Sequence, residues 1–341
     1  MKNFILKDEN AIYFECKFSC DNVIFLNLGK DRFFITDSRY TTEAKEYAKK
    51  CEVIESADLI ETTKEILKKN NIKKLNFDPN DFTYANYIKL STDVKTQFVA
   101  KPNFSKEKRA IKSDKEIQLL KKAAVAGRVG FKELEKFIRK NGFGLTEQFL
   151  NFKAFEKMTQ TGKLDISFEP IVAINENAAK PHALPTQKKL KLNDLILVDA
   201  GIKYKRYCSD RTCTSAVDFE KFSFKREQKF KNDKHQKIYD IVLKAQLNAI
   251  EKARTGMKAS EVDKLTRDII EKAGYGKYFI HSTGHGVGLD IHEFPVINSK
   301  SDVIIQDNMV FTIEPGIYLP NEFGVRIEDT IVMQNGKAVI L

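Results

Sequence analysis

Hydrophobic and polar positions in the first hundred residues fall into short blocks that predict an α/β layer. Val23-Ile-Phe-Leu-Asn-Leu28 and Phe33-Phe-Ile-Thr36 are runs of β-formers separated by Gly29-Lys-Asp-Arg32, a hairpin signal. A helix is predicted from Thr41 to Lys50, with Asp37 or Ser38 placed to cap it. Cys51–Ile54 reads as a strand, Ala57–Asn70 as a helix, Lys74–Phe77 as a strand and Asn80–Leu90 as a helix. Strands alternating with helices argue for an α/β fold. The stretch Lys101–Ala110 is polar, lysine-rich and carries one proline, so the domain boundary is placed there, with residues 1–108 before it and 109–341 after.

Beyond the boundary the period changes. Ser113 followed three residues later by Glu116 is a capping box. It opens a long helix from Asp114 to about Lys140, with Ile117, Leu120, Ala124, Val129 and Phe131 at helical spacing. A second helix runs from Thr146 to about Gln160, and Ser167–Ile174 reads as a strand leading into a polar loop that holds His182. Ile196–Val198 and the return to Thr214 read as a hairpin through a Lys/Arg turn flanked by Tyr204 and Tyr207. Helices are predicted again over Gln236–Ala253, with Ile238, Ile241, Leu243 and Leu247 as its apolar face, and over Ser260–Ala273, ending at Gly274. Helix, helix, then strands thus recur in both halves, which suggests an internal pseudo-twofold.

Composition narrows the class. With 341 residues, 42% hydrophobic and 31% charged, the chain has the balance of a soluble globular protein of about two domains. The N-terminal apolar run is only three residues, too short for a conventional secretory signal, and no apolar run approaches the ~18 residues of a membrane span. Five cysteines with no C-x-x-C pair predict free thiols in a reducing cytoplasm. Cys208 and Cys213 flank Asp210, but their spacing fits no zinc template. The net charge of +11 raises the question of nucleic acid. Most lysines are interleaved with acids, as on a solvated face. The densest basic stretch, Phe222–Lys237, interleaves phenylalanines with its charges and reads either as an exposed loop leading into a helix or as a nucleic-acid or partner patch.

The chemistry sits in carboxylates that end or interrupt apolar strands. Asp199 and Asp210 lie on the two arms of the predicted hairpin, close enough to meet across a ladder. They are either solvated turn residues or a pair that needs a cation between them. The last third of the chain adds His285 between glycines, Glu314 at the end of Phe311-Thr-Ile, and Glu328 within Val325-Arg-Ile-Glu-Asp-Thr-Ile. Two Asp, one His and two Glu suit a pair of divalent cations of the Mn²⁺, Co²⁺, Fe²⁺ or Zn²⁺ kind better than Ca²⁺. The glycines around His285 also have phosphate-loop spacing, but no helix former follows them, so a dinucleotide site is rejected. No histidine lies three residues after Glu293, so His292-Glu293 does not begin a zincin motif.

These five segments, in this order, resemble the pita-bread metallopeptidases: methionine aminopeptidase, aminopeptidase P and prolidase. The likeness covers roughly residues 110–341, and Phe34-Ile-Thr-Asp-Ser-Arg-Tyr40 resembles a segment of the family's N-terminal domain. It implies a pita-bread C-terminal catalytic domain with a smaller α/β domain before it. It further implies Asp199, Asp210, His285, Glu314 and Glu328 as ligands of two metal ions, most simply Mn²⁺, with Asp210 and Glu328 bridging. By the same resemblance Glu314 is also the general base, His182 and His292 contact the scissile group, and His281 lies near the substrate pocket. Tyr318 and Arg326 match a pair that orients a ligand carboxylate. The Arg-Ile-Glu-Asp context and the separate N-terminal domain favour an Xaa-Pro aminopeptidase or prolidase. Peptides with proline second are the implied substrates, and a homodimer is the default assembly. The class alternative is a family member that has lost its metal and uses the basic insertion as a binding module.

Overall fold

The computed structural model describes residues 2–341, and these fall into two compact units that meet between Arg109 and Ala110 in the sequence. In the first unit a six-stranded sheet runs in the order Glu52–Glu55, Asp31–Thr36, Val23–Leu28, Asn3–Leu6, Lys74–Phe77, Gln97–Ala100. Every residue of Val23–Leu28 is buried, because both faces of this central strand are covered. Ile24 and Leu26 pack with Leu59, Leu67 and Leu90 on one side. Val23 and Phe25 pack with Ile12, Cys16 and Ala44 on the other. Helix starts follow their caps: Asp58 accepts from the backbone of Ile60 and Glu61, and Thr83 from Asn86. Asp37 does not cap Thr41–Tyr47 as the sequence suggested. Its carboxylate is taken by Arg39 and Asn22 instead.

In the second unit the helices Asp114–Asn141 and Glu147–Met158 precede a three-stranded sheet in the order Arg211–Ala216, Leu195–Ala200, Ile171–Ile174. The helices Asp233–Lys252 and Ala259–Lys272 precede a five-stranded sheet in the order Glu293–Ile297, Gly284–Gly286, Val310–Ile313, Asp329–Gln334, Lys337–Ile340. The capping box of Ser113 and Glu116 is formed. The buried stripe of the first helix differs from the expected one. Gly127, Gly130 and Leu134 face inward, while Val129 is exposed. Gly130 admits Met158 at a distance that a Cβ would not allow, so small residues set the closest approach between the helices. In Asp233–Lys252 the inward positions are Ile238, Tyr239, Val242, Ala245 and Ala249, and Leu247 is exposed.

Two readings of the middle of the chain change. The predicted strand Ser167–Ile174 shortens to Ile171–Ile174, after Pro170. The basic segment is a loop that leads into the helix Asp233–Lys252, with its lysines largely exposed, but its phenylalanines are not an aromatic patch open to a ligand. Phe222 and Phe224 are buried and join Phe131 and Val198 in the core, and the Phe224 backbone N–H donates to Glu135 at 3.1 Å. All five cysteines are free of disulfides. Among the described residues no helix is long and apolar enough to cross a membrane.

Candidate metal centre

The site is built where the three-stranded and five-stranded sheets described above supply strand ends, beside the hairpin Gly316–Leu319 and Phe323–Arg326. Leu195–Ala200 pairs antiparallel with Arg211–Ala216, placing Asp199 opposite Thr212 rather than opposite Asp210. The offset has a local cause. The hairpin breaks at Gly201, where a Cβ would overlap the Ser209 carbonyl, and the Ser209 hydroxyl accepts from the Ile202 backbone. Beyond the break the arms resume as Ile202–Tyr204 and Tyr207–Cys208, closed by Lys205 and Arg206, both at positive φ. That two-residue turn matches strand twist, and Lys-Arg adopts it where Asn-Gly is usual.

From the other sheet, Gly284 lets His285 approach Val310–Ile313, because a side chain at 284 would overlap the Thr312 carbonyl. A bulge between His285 and Gly286 then turns the strand. The His285 Nδ1 lies 3.1 Å from the Gly286 carbonyl, which can only accept, so Nδ1 carries the proton and Nε2 offers its lone pair. That Nε2 is 3.3 Å from Glu314 Oε1 and 3.6 Å from Asp210 Oδ2. One donor atom each from Asp210, His285 and Glu328 lies within 4.8 Å of the others.

Hydrogen bonds from neighbouring side chains fix these groups. Arg326 is the hub: its Nη2 donates to Asp199 Oδ2 at 2.7 Å, its Nε to the Thr212 hydroxyl at 3.0 Å and its Nη1 to the Tyr318 hydroxyl at 2.9 Å. The same Nη1 reaches the Pro181 carbonyl at 3.1 Å, next to His182. Thr212 passes the order on by donating to Glu328 Oε2 at 2.6 Å. The Tyr318 hydroxyl is 2.9 Å from His281 Nε2, whose Nδ1 donates to the Ser282 carbonyl. His292 is exposed with its ring centroid 4.4 Å from that of His285. His182 is exposed and reaches Asp199 and His281 only through its field. The structure therefore gathers Asp199, Asp210, His285, Glu314, Glu328, Tyr318, Arg326 and His281, and sets His292 and His182 at the rim. Thr212 and Thr312, which donates to Glu314, escaped the sequence reading. The one available signal for Thr212 was its place two residues after Asp210, on the same face of the strand.

Electrostatics make the cluster unstable by itself. Burial, then the charges of Asp199 and Glu314, push Asp210 well above the carboxylate range. Burial, then Asp210, does the same to Glu328. Glu314 rises to about 8, chiefly through burial. Burial raises Asp199 too, although Arg326 opposes it. Burial, with His292 adding to it, lowers His285 to about 4, so its imidazole is neutral at pH 7.

Comparison with known proteins decides what such a cluster belongs to. Residues 118–335 match the model of metallopeptidase family M24. The chain belongs to metallopeptidase family M24. Residues 1–111 match the creatinase/prolidase N-terminal domain. An uncharacterized peptidase of Bacillus subtilis is 38% identical over 92% of this M24 chain and 85% of its own length. The structure is similar to an Xaa-Pro dipeptidase from Bacillus anthracis, with a TM-score of 0.91 and 35% identity over 99% of this chain and 92% of that one. It is also similar to an X-Pro aminopeptidase from Thermotoga maritima, with a TM-score of 0.86 and 29% identity over 100% and 95% of the two chains. The chain is thus an enzyme of the metallopeptidase class, and its fold is the mixed α/β, pita-bread arrangement behind an N-terminal domain.

Family membership implies divalent metal ions, and the residues present fit them. Asp199 Oδ1 is buried with no hydrogen-bond partner, which is costly unless a cation meets it. Three buried carboxylates, the half-buried Glu314 and one neutral imidazole form a hard, mixed oxygen and nitrogen donor set.

Proposed function

We propose that this M24 enzyme is an exopeptidase that cleaves the bond before a proline in second position, with the dipeptide Xaa-Pro preferred. The observation that carries the reading is the Asp210–His285–Glu328 cluster beside the unpartnered Asp199 oxygen. The likeness to the Bacillus anthracis dipeptidase over nearly the whole chain favours the dipeptide.

In this reading Asp199, Asp210, His285, Glu314 and Glu328 would together hold two cations. Mn²⁺ is the first choice for a set rich in carboxylate oxygen. When bound, such a pair supplies Lewis acidity and lowers the pKa of water. The chain's own groups do the rest. Glu314 takes the proton of the attacking water and carries it to the leaving proline nitrogen. His182 and His292, at the rim, donate to the scissile oxygen as it gains charge. Arg326 fixes the Asp199 carboxylate through its 2.7 Å bond, and Tyr318 ties that pair to His281.

A second reading, an aminopeptidase acting on longer peptides, is favoured by the likeness to the Thermotoga maritima enzyme. Rates on Ala-Pro, Ala-Pro-Ala and Ala-Ala after loading with Mn²⁺, Co²⁺, Fe²⁺ or Zn²⁺ separate the two. A preference for Ala-Pro supports the dipeptidase, and a preference for Ala-Pro-Ala the aminopeptidase. Equal hydrolysis of Ala-Ala would refute proline selectivity. We further propose that the enzyme works as a homodimer, which sedimentation velocity tests.

A further inference from the structure

On the side of the hairpin away from the acidic cluster lies a cavity of about 150 Å³ that the peptidase chemistry does not use. Three arginines line it, each from a different part of the unit. Arg128 comes from the helix Asp114–Asn141, Arg211 from the strand after Asp210, and Arg226 from the basic segment. Only one carboxylate is committed to them. Asp329 lies 2.5 Å from Arg226 Nη2 and 4.0 Å from Arg211 Nε, and also accepts from Gln246. The other acidic residue of the lining, Asp210, turns its carboxylate toward His285. Arg128 donates to the Leu341 backbone oxygen. Three guanidinium groups thus face one side-chain carboxylate turned toward them, Asp329. Burial, and then the Arg211 charge, lower Arg128 below the ordinary arginine value, as expected where like charges converge. Arg211 and Arg226 are half-buried and Arg128 is exposed at the edge of the cavity. Converging cations, two of them partly withdrawn from water, attract an anion, and planar guanidinium forks match tetrahedral oxyanions.

We propose that this cavity is an oxyanion site that takes a phosphate group between Arg128, Arg211 and Arg226. Its volume suits inorganic phosphate or the phosphoryl end of a small ester. The site is separate from the metals: Asp210 and Arg211 are consecutive and face opposite ways, as are Glu328 and Asp329.

The test is isothermal titration of the metal-loaded full chain with inorganic phosphate and with glycerol 3-phosphate, in a chloride background of matched ionic strength. Saturable binding of one phosphate per chain is expected, with the apparent Kd raised ~10-fold or more in Arg128→Met, because a charged fork is lost. The ester binding as well as phosphate does would point to a phosphoester ligand, and phosphate alone to the free ion; either supports the site. Ala124→Leu, which fills the same cavity from the helix, is the second variant, and it too should weaken binding. No saturable binding, or equal binding in wild type and both variants, as phosphate held on the metals would give, overturns the proposal.

Discussion

Two sides of the strand ends in the second unit carry opposite charge. Toward the metal centre the chain presents Asp199, Asp210, Glu314 and Glu328, with Arg326 as the buried cation among them. Toward the helix Asp114–Asn141 it presents Arg211 and Arg226 around Asp329. The residues that differ in fate are neighbours in sequence: Asp210 and Arg211, Glu328 and Asp329. Period-two alternation therefore sorts the charges, and what separates the faces is how each is neutralised. The back face holds one carboxylate within a group of cations; an ion pair and a Gln246 hydrogen bond satisfy that carboxylate, and guanidinium groups are left over. The front face holds four carboxylates against one guanidinium, which internal pairing cannot satisfy.

The sharpest way to break the contrast is to remove a front-face carboxylate. Asp210→Ala and Glu328→Ala are expected to lose bound metal and to lower turnover by ~10³-fold or more, since the ionised water goes with the metal. Elemental analysis beside the rate checks this, and near-wild-type metal content would reassign both residues. Next, His292→Ala should keep its metal and lower kcat by about 10²-fold, the loss expected when a donor to the transition-state oxygen is removed. Unchanged turnover would make His292 structural.

Chelation sharpens the comparison through pH. The buried front-face carboxylates are raised, Glu314 from 4.5 to about 8. A carboxyl raised in the folded state contributes stability that is full below its unfolded value and is lost as pH rises through the folded value. The chelated enzyme should therefore melt progressively lower between about pH 5 and 8, while the metal-loaded enzyme keeps its Tm. Parallel pH profiles would show that cations do not neutralise this face. The smallest effect lies at the back. Asp329→Asn removes the one anion shared by Arg211 and Arg226 and should cost about 1–2 kcal/mol, read by denaturant melts. No change in stability would mean that the back-face charges are already neutralised by solvent.

Much of the fold was legible because its signals are local. The Ser113 and Glu116 capping box, the β-rich runs around Gly29 and the helix end at Gly274 each depend on a few adjacent residues. What the sequence hid depends on distant partners. Val129 has a core side chain's composition, yet Gly127 and Gly130 face inward because Ser209 and Met158 need the room. The Asp199–Thr212 register follows from the break at Gly201 and Ser209, which periodicity alone does not reveal. For the candidate site, the carboxylates stood out as acids ending apolar strands. Thr212 and the arginine cavity did not, because a threonine in a strand and arginines spread over about a hundred residues leave no mark until the chain folds.

The buried rings of Phe222 and Phe224 change how the basic segment should be handled at the bench. Its seven lysines and arginines between Lys221 and Lys237 make it look like a dispensable connector, suited to trimming or to carrying an epitope tag. The two rings instead wedge into the same core that holds Val198, one residue before Asp199. Truncation there would loosen the scaffold under the carboxylates, so a shortened version that is soluble but inactive would say nothing about catalysis.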